Sequence, residues 1–141
     1  VNPLPTLELD ASDSIRVSAV LTGVGLSAAP KIGVVTRHYG MLLQTKVKAY
    51  ASKPRTGPPG PRIQTGDYVR SISLNVNRTP DGVEAAVGTN KPQGRRLEFG
   101  FVGVDAIGRH YNQPPYPHFR PALLEVQPAF LAAIAAVVAT P

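Results

Sequence analysis

The stretch SISLNVNRTPDGVEAAVG, residues 71–88, decides the fold. Ile72, Leu74 and Val76 alternate with Ser73, Asn75 and Asn77, and Val83, Ala85 and Val87 alternate again. A period of two puts each apolar set on one face of a strand. Between the runs stands Thr79-Pro80-Asp81-Gly82. Its proline fixes φ and its glycine tolerates positive φ, so the chain can reverse there. Two alternating runs joined by such a turn predict an antiparallel β-hairpin. Asp67 to Ser71, just upstream, suit a short helical turn capped by Thr65, so 67–88 reads as a helical turn followed by a hairpin.

On the N-terminal side, residues 27–53 read as the main helix. Pro30 fits a first turn and Ser27 stands where a cap would. Ile32, Val35, Tyr39, Leu42 (or Leu43), Val47 and Tyr50 recur at steps of three and four, which makes one apolar stripe. Gly33 and Gly40 each weaken a helix by about 1 kcal/mol relative to Ala. They mark either a close approach of another backbone or fraying ends. Residues 54–66 hold the Pro- and Gly-rich run PRTGPPGPR, which suits neither helix nor inner strand and reads as an exposed loop. Residues 1–26 contain two strand-like pieces, Thr6 to Leu9 and SIRVSAVL; the second also suits the opening of a short helix.

On the C-terminal side, residues 120–138 read as a helix with a wide apolar band: Leu123, Leu124, Val126, Phe130, Leu131, Ile134, Val137 and Val138. Pro121 fits its first turn, and Pro128 is expected to kink or divide it. Between hairpin and helix, residues 89–119 read as an aromatic and Pro-rich loop. The fold predicted is therefore one α+β domain over 1–141. A small, mainly antiparallel sheet packs against the long helix of the N-terminal half and against the C-terminal helix.

The totals agree with one domain. The chain has 141 residues, 43% hydrophobic, which suffices for a core. It holds no cysteine, which excludes disulfides, thiolate metal sites and thiol catalysis. The opening VNPLPTLELD has no basic stretch followed by an apolar run, so it does not read as a signal peptide. The longest apolar run, FLAAIAAVVA at 130–139, is shorter than the ~20 residues that span a bilayer. The net charge is +6 and favours acidic partners. The basic residues are scattered, however, with only a loose patch from Lys46 to Arg62 and a pair at Arg95 and Arg96.

The 89–119 segment has the raw materials of a site: Glu98, Asp105, His110 and His118. None falls into a reactive pattern. The two histidines are not at helical HxxxH spacing, and structural zinc needs four patterned ligands. Nothing brings Glu98 and Asp105 together as an acid–base pair. There is no GxSxG elbow, Walker loop or GxGxxG. No catalytic, cofactor or metal role is assigned, and the histidines read as hydrogen-bonding loop residues. Rings on a proline-stiffened segment do suit an interface, because they bury area with little ordering cost. Arg95, Arg96, Glu98, Phe101, Tyr111 and Tyr116 are the candidate subunit or partner contacts, while Phe99 and Phe119 are expected in the core. Glu98, beside two arginines and a glycine, is expected to accept backbone N–H groups or to pair with an arginine.

Three elements, in order, resemble the tail-completion or neck family of long-tailed bacteriophages and prophages. The first is Thr65, Gly66, Ser71 and Ile72, with Tyr68 where an aliphatic residue is common. The second is Leu97, Glu98, Phe99 and Gly100. The third is Pro117, Phe119, Pro121, Ala122 and Leu123, with His118 inserted. The resemblance covers about residues 30–138, and GFVGVDAIGRHYNQ is similar to the longer loop of actinobacterial phages. It implies a non-enzymatic virion protein, assembled in the host cytoplasm, without cofactor, membrane or small-molecule substrate. It further implies a homo-oligomeric ring, most simply a hexamer, beside stopper, tail-terminator or tail-tube proteins, with DNA passing unread. A tail terminator of the adjacent ring and a small basic nucleic-acid-binding domain are the other readings.

Overall fold

The computed structural model describes residues 6–9, 17–24, 30–52, 66–79, 82–91 and 93–139. The chain runs through β1 (Thr6–Leu9), β2 (Val17–Val24), α1 (Pro30–Ala51), α2 (Asp67–Ser71), β3 (Ser73–Thr79) and β4 (Gly82–Thr89). It continues through α3 (Gln93–Phe99), β5 (Phe101–Val104), β6 (His110–Gln113) and α4 (Phe119–Ala139). The α+β expectation holds. One antiparallel sheet has the order β1-β2-β4-β3, and β5 and β6 form a separate two-stranded sheet.

The hairpin falls where alternation put it, with Ser73 opposite Gly88 and Thr79 opposite Gly82. Pro80 and Asp81, the centre of the expected turn, lie outside the described residues, as do 53–65 with most of the Pro-rich segment, Thr65 and Ser27. The short helix α2 has Gly66 just before it as its N-cap, which adopts φ 75 and gives no side-chain cap. In 1–26 the described residues Thr6–Leu9 and Val17–Val24 are strands, the second of which overlaps the SIRVSAVL piece from Val17 on, and β2 lies between β1 and β4.

Helices α1 and α4 cover the sheet and lie side by side. They run antiparallel: the ring of Tyr39 meets that of Phe130 at 5.8 Å, and Tyr50 donates its hydroxyl to Glu125 Oε1 at 2.5 Å. That hydrogen bond to a carboxylate favours the neutral phenol and, with desolvation and the charge of Glu125, raises the Tyr50 pKa. The buried line of α1 is Ile32, Thr36, Leu43, Val47 and Ala51, while Val35, Tyr39, Leu42 and Tyr50 are half-buried beside it. Helix α4 adds Phe119, Ala122, Leu123, Val126, Phe130 and Ile134. From β4 the core receives Ala85 and Val87.

Pro128 does not divide α4, which is continuous from Phe119 to Ala139. The proline is exposed, so the Leu124 carbonyl that loses its helical partner lies on the side where water can reach it. The window Phe119–Val137 is, by length and composition alone, long and apolar enough to cross a membrane. Reading 130–139 by itself missed this, because the helix starts eleven residues earlier. The same helix supplies much of the core.

Gly40 marks a close approach of helix to sheet. A Cβ there would stand 2.8 Å from Ala85 Cβ and 3.1 Å from Leu74 Cδ1. At Gly33 the nearest atom would be Val83 Cγ2 at 3.9 Å, an ordinary contact. The two glycines therefore respond oppositely to alanine. Gly40→Ala forces α1 off the sheet and should cost about 1–3 kcal/mol despite the better helix propensity. Gly33→Ala gains that propensity and should stabilise by about 0.5–1 kcal/mol. Urea denaturation of both variants measures the opposite signs.

Candidate functional site

The segment read as a loop is largely ordered into α3 and the β5–β6 hairpin. Sequence reading missed α3 because seven residues enclosed by Pro92 and Gly100 show no helical period. It missed the hairpin because each strand is four residues long. Gly100, at φ 79, ends α3 and sends its N–H to the Arg96 carbonyl at 2.8 Å. A Cβ there would meet Gln113 O at 2.8 Å, so the position suits glycine in both conformation and space.

Glu98 is the centre of this region and is 3% exposed. Its Oε1 accepts the N–H of His118 at 3.0 Å and of Phe119 at 2.8 Å; its Oε2 accepts that of Arg120 at 3.3 Å. The N–H groups of Phe119 and Arg120 are the first of α4 and have no partner inside the helix, and that of His118 belongs to the residue just before it. A carboxylate placed there satisfies them and also meets the positive end of the helix dipole. Glu98 thus caps a helix that starts twenty-one residues after it. The expected backbone bonds are present and lie within one chain, so Glu98 is not on the surface where the interface reading placed it.

His118 is 2% exposed and joins α2 to this cap. Its Nδ1 lies 3.0 Å from the Tyr116 carbonyl, which can only accept, so Nδ1 carries the proton. On the other side of the ring, Nε2 and the Tyr68 hydroxyl share a hydrogen bond of 2.5 Å. Tyr68, 3% exposed, comes from α2. Gly94 lets α3 approach: a Cβ there would lie 2.7 Å from Thr89 Cγ2 and 3.2 Å from the Tyr68 hydroxyl. Tyr68, Glu98 and His118 therefore lie at one node, and each comes from a different one of the three motif elements. The Glu98 carboxylate faces three backbone N–H groups and also the His118 ring, whose Nδ1 stands 3.3 Å from Oε1, and all three side chains are buried. Their arrangement positions a helix.

The hairpin has two faces. On one, Phe101 and Tyr111 lie with ring centroids 6.0 Å apart, and the Arg96 guanidinium stands 4.1 Å above Phe101. Asp105 organises the tip. Its Oδ1 accepts the N–H of Ile107 and Arg109, and its Oδ2 accepts Arg109 Nε at 2.6 Å and the Tyr111 hydroxyl at 3.0 Å. Desolvation, the largest single influence, pushes the Asp105 pKa up. The hydrogen bonds from Arg109, Tyr111 and Ile107 together outweigh it and leave the carboxyl below its ordinary value. The other face exposes Val102 (79%) and Val104 (55%), and the turn between the strands exposes Ile107 (74%).

The candidate contacts are thus redistributed. Arg95 and Arg96 are exposed; Phe101, Tyr111 and Tyr116 are half-buried, and Tyr116 packs against the core. Phe119 is buried as expected, but Phe99 is 40% exposed because Leu97 and Glu98 take the inward side of α3. His110 is exposed on β6. The valines were legible in principle, since Phe101-Val102-Gly103-Val104 alternates. No group of three or more His, Asp or Glu side chains suited to a metal occurs among the described residues. No protein-family model, curated protein or solved structure matches the chain.

Two measurements check the node and the tip. Glu98→Gln leaves one acceptor oxygen for three N–H groups and should lower stability by about 1–3 kcal/mol in urea denaturation, where a surface glutamate would change it by less than about 0.5 kcal/mol. The Asp105 carboxyl titrates lower in the folded chain than in the unfolded one. Its contribution is therefore complete above the ordinary carboxylate pKa and is lost as pH falls through the lowered value. Amide exchange should show Ile107 and Arg109 protected at pH 5 and released in stronger acid, with Asp105→Ala unprotected at both.

Proposed function

We propose that this chain is a structural protein of the neck of a long-tailed bacteriophage virion. It assembles as a ring at the head–tail junction and helps complete the tail and join it to the DNA-filled head. The observation that carries this reading is the node. TGDYVRSI, RRLEFG and PPYPHFRPAL, which carry the resemblance, lie far apart in sequence and supply Tyr68, Glu98 and His118 to one buried cluster. Of these, Glu98 belongs to the pattern that carries the resemblance and has a fold-holding role without any chemistry, while Tyr68 and His118 stand where this chain departs from that pattern. The exposed hairpin supports the reading from a second side, because Val102 and Val104 on one strand face and Ile107 in the turn are exposed apolar side chains of the kind that neighbouring proteins cover.

Silencing the gene in the phage that carries it tests the proposal. The expected result is DNA-filled heads and separate tails in electron micrographs. Tails of uncontrolled length would assign the chain to the adjacent tail-terminator ring, and normal particles would defeat the proposal. A small nucleic-acid-binding domain would instead retain DNA with an affinity that falls steeply with salt. Val102→Asp with Ile107→Asp leaves the node untouched and should lower the yield of joined particles at least tenfold, with an unchanged melting temperature of the isolated chain.

A further inference from the structure

The β5–β6 hairpin lies within 93–139, a stretch described without a break. Its strands pair with each other and make little contact with the other described elements. Both of its ends are nonetheless fixed. At the base, Gln113 Nε2 donates to the Arg96 carbonyl at 3.1 Å, and the Arg96 guanidinium stands over the Phe101 ring. At the tip, Asp105 gathers Ile107, Arg109 and Tyr111. An element that is already ordered loses little entropy when it docks.

The register sets Val102 opposite Asn112 and Val104 opposite His110, so the exposed face of the hairpin carries no carboxylate. The charge around its base has one sign. Residues 93–121 hold Arg95, Arg96, Arg109 and Arg120 against Glu98 and Asp105. Both carboxylates are engaged inside the chain, Glu98 at the buried start of α4 and Asp105 with Arg109. Arg95, Arg96 and Arg120 are exposed, and among the described residues no carboxylate pairs with them. All three belong to this base, because α3 runs into β5 through Gly100 and Glu98 of α3 accepts the Arg120 N–H. An apolar centre with a charged rim is the usual anatomy of a protein interface.

We infer that the hairpin seats in an apolar recess of an acidic protein, whose rim carboxylates meet Arg95, Arg96 and Arg120. Like charges across an interface suppress the wrong partner, and a second copy of this chain brings a net charge of +6. Membrane interfaces select Trp and Tyr, and single-stranded nucleic acid selects aromatic faces on which bases stack. The exposed face and tip offer aliphatic Val102, Val104 and Ile107 instead, while Phe101 and Tyr111 lie on the other face. The inference rests on the neck reading for the place of this partner, an adjoining protein of the junction, and adds the chemistry of the surface that receives the hairpin.

Photo-crosslinking in cells that are assembling the phage tests it. The full chain carries p-benzoylphenylalanine in place of Val104 or, as a control, in place of Ala49 on the exposed side of α1. On irradiation, position 104 should join to one protein other than this chain, within a segment richer in Asp and Glu than in Lys and Arg, at least tenfold more than position 49 does. Arg95→Glu with Arg120→Gln should lower that adduct at least tenfold at an unchanged melting temperature; Arg120 is neutralised rather than reversed so that no second carboxylate stands beside Glu98. Lysine in place of the carboxylates of the joined segment should restore the adduct with the Arg95→Glu chain. Joining to another copy of this chain, to DNA or to lipid, an adduct indifferent to Arg95, or no adduct overturns the inference, and the neck reading then stands or falls by the silencing experiment. An acidic partner that is absent from purified virions keeps the hairpin contact and overturns the neck reading.

Discussion

A buried carboxylate, Glu98, holds the second half of this molecule in place. The start of α4 has N–H groups that the helix cannot satisfy, and those of His118 and Phe119 are buried, where water cannot satisfy them either. A single side chain from α3 accepts three of them. Leaving a buried donor unpaired costs about 1–3 kcal/mol each, so the cap is worth a sizeable part of a domain's net stability. The position of α4 follows from it, and with α4 the place of Phe119 and Val126 in the core and the packing of Phe130 on Tyr39 of α1. His118 then ties the same point to α2 through the Tyr68 hydroxyl.

Much of the fold was legible because it follows simple periods. The 71–88 hairpin declared itself by alternation and by turn residues. The two long helices declared themselves by apolar stripes at three- and four-residue steps. What failed had short range or a mixed signal. Helix α3 is too short to show a period. The β5–β6 hairpin was hidden by glycines and by aromatic residues that drew attention to side-chain chemistry and away from the backbone. Pro128 was expected to interrupt a helix, yet it lies on the exposed face, where a lost hydrogen bond matters least.

The candidate site was legible in type and less so in place. Glu98 was recognised as structural because arginine and glycine neighbours suit a capped turn, and its backbone bonds are present. Its partners were not foreseeable, because they begin twenty positions later and depend on how the prolines at 114, 115 and 117 route the chain. The expectation of aromatic contacts was partly displaced. Phe101 and Tyr111 turn toward Arg96 and Asp105, and the alternation then leaves Val102 and Val104 outside. One strand cannot present both sets to the same side.

The order of strands in the large sheet bears on how the molecule forms. Strand β2 pairs with β4 so that Val24 meets Gly82 and Val17 meets Thr89, with all of α1 and β3 between them in the chain. Local pieces, the β3–β4 hairpin and the α3-to-α4 cap, close short loops and can form early. The β2–β4 ladder closes a long one and must come late, since distant contacts carry the larger closure entropy. During synthesis the N-terminal strands emerge first and wait for their partner. In that interval β4 has an open flank, and a nascent chain crowded among copies of itself is most exposed to mispairing before its own first strands return to claim it.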